Sequence, residues 1–328
     1  VDGGEISAYQ YAGAVAGNLA GRIEDCVSTA DVNVGNGYGG GIAGAMQDGA
    51  SVTGSINKGS VSATAGNYVG GISAVSYGSL IDCANEGDVI GASGYAGGLV
   101  GAARGTIANG KNSGMVMLAK SGNYVGGIAA IVEPGCWFYD CENTGELSGG
   151  KNYVGGIYGG SLTTTAALKA NGALVERCIN RANLSSTGTN IGGITGGVAP
   201  GQHLKHCKNY GNITAQGNLA AGIAAEIKSS KDYAIALDSC ENFGKIEQTV
   251  ASKQNIGGII GKASSGLFTL SDCVNRGEII SKGYMVGGII GNFEGPVTGC
   301  VNIGNVTGAT YAIGGIAGYG GSASIIDG

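Results

Sequence analysis

Proline, charge and histidine are all scarce in this chain. Only 3 of 328 residues are Pro, 2 are His and 12% are charged. With 68 Gly, the near-absence of Pro and of a Gly-X-Y period excludes a collagen-like rod. The net charge of −5 carries no basic stripe, so a general nucleic-acid binder is excluded. No apolar run approaches the roughly 18–20 residues that span a bilayer, so no transmembrane segment is expected. His-Glu-x-x-His, Cys-x-x-Cys and Gly-x-Ser-x-Gly are missing, which removes the common zinc and serine hydrolase signatures. Disorder is not the alternative, because 43% of residues are apolar and rich in Ile and Val.

What is present is a repeat. Asn-Tyr-Val-Gly-Gly-Ile occurs at 67–72, 123–128 and 152–157. Taking its Ile as a marker gives Val15, Ile42, Ile72, Leu99, Ile128, Ile157, Ile194, Ile223, Ile259, Ile289 and Ile316, at spacings of 27 to 37 residues and mostly near 29. A second marker reads apolar-x-x-Cys-x-Asn-x-Gly-x-apolar, as in Leu80-Ile-Asp-Cys83-Ala-Asn85-Glu-Gly87-Asp-Val89. Cys83, Gly87 and Val89 share parity, which is the period of a strand. A fixed period over the whole length signals a solenoid. The expected fold is therefore all-β: a single-stranded, right-handed parallel β-helix of ten to eleven coils, about three strands each, with Gly at the corners. It forms one continuous domain over 1–328. The ends carry no polar caps, so the chain reads as a fragment of a longer protein.

Gly97-Gly98-Leu99-Val100-Gly101, with Gly-Gly-Ile-x-Gly at 40–44, 192–196, 257–261 and 287–291, resembles the GLUG repeat of bacterial surface proteins. That family includes streptococcal IgA-cleaving metallopeptidases, whose peptidase motif this chain lacks. The resemblance implies a β-helix placed outside the cell, or on its surface, as an adhesin or stalk segment.

Four features are candidates for function. Eight of nine Cys fill one repeat position and are expected as a core column of thiols; Cys136 lies off it, open to a local disulfide with Cys141. Tyr11, Tyr38, Tyr68, Tyr95, Tyr124 and Tyr153 all stand four residues before the marker, forming a row in six consecutive coils. Such a row stabilises a ladder, and half-exposed rings also offer a platform for sugar faces. Insertions concentrate between the marker Ile and the next Cys, where the gap varies from 11 to 21 residues against 16 to 19 elsewhere. This corner gathers Trp137, Tyr139, Tyr158, His203, His206, Lys228 and Tyr233 as a candidate ligand-binding face. Finally, Asp precedes the marker Cys at 25, 82, 140 and 272, but never in adjacent coils, so no carboxylate pair forms. His203 and His206 are three apart, which on a strand sends them to opposite faces. No cofactor, metal or catalytic residue is expected. The leading reading is a non-enzymatic surface module, an adhesin or stalk, that binds glycans or surface proteins on the variable corner; the alternative is a carbohydrate-binding or carbohydrate-processing β-helix that uses the Tyr row or the aromatic corner.

Overall fold

In a computed structural model, residues 1–65, 68–119, 122–133, 135–161, 173–309 and 311–327 are described. The described residues form 54 strands and no helix, wound as a parallel β-solenoid of about eleven turns. Each coil contributes five strands, not three. Sheet I runs from Glu5–Ala8 to Val306–Gly308, sheet II from Tyr11–Gly13 to Ile313–Gly314, sheet III from Ala16–Leu19 to Ala317–Gly320, sheet IV from Arg22–Glu24 to Ile325–Asp327, and sheet V from Val27–Ser28 to Val301–Asn302. Pairing is in register, so Tyr68 lies beside Tyr38 and Tyr95, and Gly70 beside Gly40 and Gly97.

The extra strands have a local cause. The residue before each marker Cys is left-handed: Asp25, Asp82, Asn109, Asp140, Arg177, His206, Ser239 and Asp272 have φ between 51° and 54°, and Gly54 and Gly299 take 59° and 60°. This corner divides sheet IV from sheet V, and the turn after each Asn divides sheet V from sheet I. Burial still alternates across both breaks, with Cys83, Asn85, Gly87 and Val89 all inside. Left-handed backbone favours Asn, Asp and Gly. The recurring Asp before Cys is thus a corner residue.

Inside, two apolar columns run along the axis. One holds the marker Ile row, the sheet IV apolar residues and most of the Cys; the other joins inward residues of sheets I and II, such as Val69, Val89, Val125 and Val154. A ladder of buried Asn lies with them. From Asn57 through Asn85, Asn112, Asn143, Asn180, Asn209, Asn242 and Asn275 to Asn302, each Nδ2 donates to the next Oδ1 at 2.8–3.0 Å. The same Nδ2 donates to the carbonyl two residues on, as from Asn85 to Gly87 at 2.7 Å. The stacked Asn amides are therefore bonded through nine coils.

The two Gly of Gly-Gly-Ile now have separate roles. A Cβ on Gly70 would stand 2.2 Å from the Ser73 carbonyl and 2.7 Å from that of Leu99, so the first Gly lets neighbouring backbones close here, although the same row accommodates Ala221. A Cβ on Gly71 would stand 2.1 Å from Cγ of Asn85, so the second Gly makes room for the ladder. The first coil proves the rule in reverse. It has Ser28 in place of Asn and Ala14 in place of the second Gly. Lacking a donor from that coil, the buried Asn57 Oδ1 has no partner.

Removing one rung affects both neighbours. Asn180→Ala should cost about 2–4 kcal/mol, because Asn143 Nδ2 loses one of its two acceptors and Asn209 Oδ1 loses its ladder donor. Extending the ladder should need two changes. Ser28→Asn alone should gain nothing, since Ala14 occupies its space, whereas Ala14→Gly with Ser28→Asn should add about 1 kcal/mol. Chemical denaturation of the three variants checks both statements; stabilisation by the single Ser28→Asn would contradict this account of the second Gly.

Candidate functional site

The tyrosine row forms a continuous stack on the outer side of sheet II. Ring centroids from Tyr11 through Tyr38, Tyr68, Tyr95 and Tyr124 to Tyr153 are separated by 5.0, 5.6, 4.7, 5.4 and 4.9 Å, with planes within 22° of parallel. The rings lean over sheet III. Tyr38, Tyr68, Tyr95 and Tyr124 pack on Val75, Ala102 and Ile131. A Cβ on Gly160 would stand 2.9 Å from the Tyr124 ring, and one on Gly197 would stand 2.9 Å from that of Tyr153. Each such aromatic pair contributes about 0.5–1.5 kcal/mol beyond its buried area.

This geometry revises the sugar-face platform expected of the row. Rings from Tyr38 to Tyr124 have a neighbour on both faces, so they offer a ligand only edges and hydroxyls. What the row does border is a groove of about 330 Å³ in the first five coils. Its apolar base includes Ala45, Val75 and Ala102, with Tyr11, Tyr38 and Tyr68 on one side. Gln47, Asp48, Tyr77, Arg104 and Glu133, each following a sheet III strand, face them. Arg104 pairs with Glu133, and its guanidinium lies 4.5 Å from the Tyr77 ring centre. Burial, reinforced by Tyr95 and Tyr38, pushes the Tyr68 phenol up to about 12.

The stack ends at Tyr153 for a specific reason. The next residue in the row is Asn190, and the base of the groove changes from Gly197 to Glu226. Tyr153 Oη donates to Glu226 Oε2 at 3.1 Å, and Asn190 Nδ2 donates to the same oxygen at 2.9 Å. The Lys228 ammonium stands 4.8 Å from the Tyr153 ring centre. Lys228, a candidate of the variable corner, therefore caps the aromatic stack. Burial and the Glu226 carboxylate both push the Tyr153 phenol well above its ordinary range.

The variable corner lies between sheets III and IV, and its candidates separate. Trp137 is 41% exposed and touches Tyr139 across sheet IV, with centroids 6.0 Å apart. Leu174 and then His203 follow Trp137 in register. Tyr158 is no surface residue: it is fully buried, edge-on to Phe138 at 6.3 Å. It lies one residue after the marker Ile157, at the start of a sheet III strand, where Ala43 and Ala129 also point inward. His203 sits half-buried on sheet IV, where burial lowers its imidazole pKa, and His206 occupies the exposed left-handed corner. Tyr233 is half-buried in the loop before Ile235–Asp238. Most of the longest insertion, 162–172, lies outside the described residues, with its Thr163 to Thr165.

Cys136 and Cys141 are both free, buried thiols, so the local disulfide does not form. Burial pushes the Cys83, Cys136 and Cys178 thiols up, which keeps them protonated and inert. Asp140 is held by a fork of hydrogen bonds from Arg177 at 2.8 and 3.0 Å, which lowers its pKa. Among the described residues no group of three His, Cys, Asp or Glu is arranged to hold a metal ion.

The residues that sequence reading missed are Gln47, Arg104, Glu133, Glu226 and Lys262. A signal for some of them existed. The third position after the marker runs Asn18, Ala45, Val75, Ala102, Ile131, Gly160, Gly197, Glu226, Lys262, so that after Asn18 it is small or apolar until it becomes charged. No protein-family model, curated protein or solved structure matches this chain.

The raised Tyr68 pKa has a defined pH signature. A phenol that holds its proton more tightly when folded contributes stability that is complete below the unfolded pKa near 10 and is lost as pH rises through about 12. Tyr68→Phe should flatten this alkaline decline, read by thermal melts between pH 9 and 12; an unchanged slope would remove Tyr68 as its source. On the variable corner, Phe138→Ala should cost about 3–5 kcal/mol, while Trp137→Ala stays below about 1. Lys228→Ala should cost about 0.5–1 kcal/mol, through its lost contact with Tyr153.

Proposed function

We propose that this chain is a non-enzymatic binding segment of a secreted or cell-surface protein, and that its ligand is a glycan. The resemblance of its Gly-Gly-Ile-x-Gly repeats to GLUG sequences supports the surface placement. The single observation behind the ligand is the groove beside the tyrosine stack. Its apolar base, phenol edges and facing Gln47, Asp48, Arg104 and Glu133 combine dispersion with many planar hydrogen-bonding groups, which is what hydroxyl-bearing rings require. Five sheets fix these groups on a scaffold whose coils cannot move independently, so a linear ligand would meet a preorganised track.

A second reading is favoured by a different observation. Trp137 and Tyr139 offer an aromatic surface on sheet IV, away from the groove, and suit a protein partner.

Glycan-array binding of the full chain distinguishes the two. Tyr68→Phe keeps the stack but removes a hydroxyl from the groove, Arg104→Ala removes its guanidinium, and Trp137→Ala removes the sheet IV surface. Loss of glycan binding in the first two variants, with Trp137→Ala unaffected, is the expected result. Loss only in Trp137→Ala would move the site to sheet IV. No binding to any glycan would reject the carbohydrate reading.

A further inference from the structure

Beyond Tyr153 the same side of the solenoid holds a second depression, of about 400 Å³, whose chemistry differs from that of the first. The aromatic row has become Asn190 and Leu219, and the preceding position supplies Asn152, Thr189, Asn218 and Gln254. Its base carries Glu226 and Lys262, which are register neighbours on sheet III. Amides and hydroxyls thus replace phenol edges and methyl groups.

The charge balance is the informative feature. Glu226 is the carboxylate among the lining residues, and two hydrogen bonds from Tyr153 and Asn190 already occupy its Oε2. Lys262 lines the depression and forms no ion pair within 4 Å among the described residues. Neither do Lys228, which stands over Tyr153, nor Lys151 and Lys253, which adjoin the lining residues Asn152 and Gln254 in sequence. Elsewhere the lysines and arginines of the coils are largely paired, as in Lys58–Glu86, Arg181–Glu142 and Lys208–Glu241. In a chain of net charge −5, Lys262 in the depression and Lys228 over the adjoining Tyr153 are thus two ammonium groups without an ion pair among the described residues on this side of the solenoid. Lys262 is also held half-buried on a strand, where less water screens its charge.

We infer that this depression is a subsite for an anionic sugar residue, carboxylated or sulfated, whose acidic group meets Lys262 while its hydroxyls meet the amides. The inference rests on the glycan reading given above and deepens it: the tyrosine-lined groove takes the neutral part of the chain, and the depression selects the charged part.

Isothermal titration of the full chain with a neutral glucan, a uronic-acid polymer and a sulfated glycan tests this. An anionic glycan should bind at least tenfold more tightly than the neutral one, with a preference that weakens as salt is added. The carboxylated and sulfated arms say which acid is taken. Lys262→Gln should remove that preference while leaving neutral binding and thermal stability unchanged. Equal binding of all three glycans, with Lys262→Gln silent and Tyr68→Phe harmful, would overturn the subsite but keep the groove. Absence of binding in every arm would overturn both.

Discussion

The buried asparagine ladder is the constraint on which the rest of the fold depends. A primary amide inside an apolar core is tolerable only if its donors and acceptor are used. Here the amide bonds run from coil to coil, so every interior Asn needs an Asn above and below it in strict register. That demand reaches across the coil to the second Gly of Gly-Gly-Ile, where any side chain would collide with the amide. The pairing of Ala14 with Ser28 in the first coil expresses the same coupling from the other side. A hexapeptide written three times in one chain is the trace of that coupling. The bonds run parallel to the axis, as do the strand ladders, so side chain and backbone fix one register together.

Once register is fixed, each position of the repeat becomes a row, and rows with suitable chemistry become continuous objects. Tyrosine at one position produces the six-ring stack. Arg181, Tyr210, Phe243 and Arg276, one residue after successive ladder Asn, make a shorter one, with rings 4.6 Å apart and guanidinium groups 4.8 and 5.6 Å from the outer ring centres. Both stacks end the same way, with a cation over the last ring. An aromatic face turned toward the axis would otherwise meet water, and a cation satisfies its quadrupole while remaining partly hydrated.

The period, the core column of Cys and the row of Tyr were all legible in sequence, because each is a property of a row. What escaped was geometry within a coil. Parity carried the burial pattern across Cys83, Asn85, Gly87 and Val89, yet it could not reveal that a left-handed residue at Asp82 divides this stretch into separate strands. Sequence reading excludes a carboxylate pair for the Asp before Cys, but its role as a corner was not legible. Tyr158 resembled a surface aromatic because its segment is variable in length, but the variation begins after the strand that buries it. The groove escaped for a related reason. Its two sides come from positions about nine residues apart, Tyr38 and Gln47 in one coil, and nothing in the spacing says that they face each other.

The same logic locates the change of chemistry along the groove. A stack that served stability alone would gain from continuing, since each further ring adds a favourable contact. It stops at Tyr153, and the adjoining row changes within two coils from Gly197 to Glu226 and Lys262, while the Asn ladder and the Ile column continue unchanged to the last coils. The core therefore does not require the transition. Two rows from different sheets, facing one another, lose their aromatic and their small or apolar residues over neighbouring coils: one runs Tyr153, Asn190, Leu219, the other Gly160, Gly197, Glu226, Lys262. Scaffold packing explains neither change, since the inward positions of the same strands keep their identity: Val154 gives way to Ile191, and Ile194 to Ile223. The two changes fall on one face and divide it into an aromatic compartment and a polar one along a single axis.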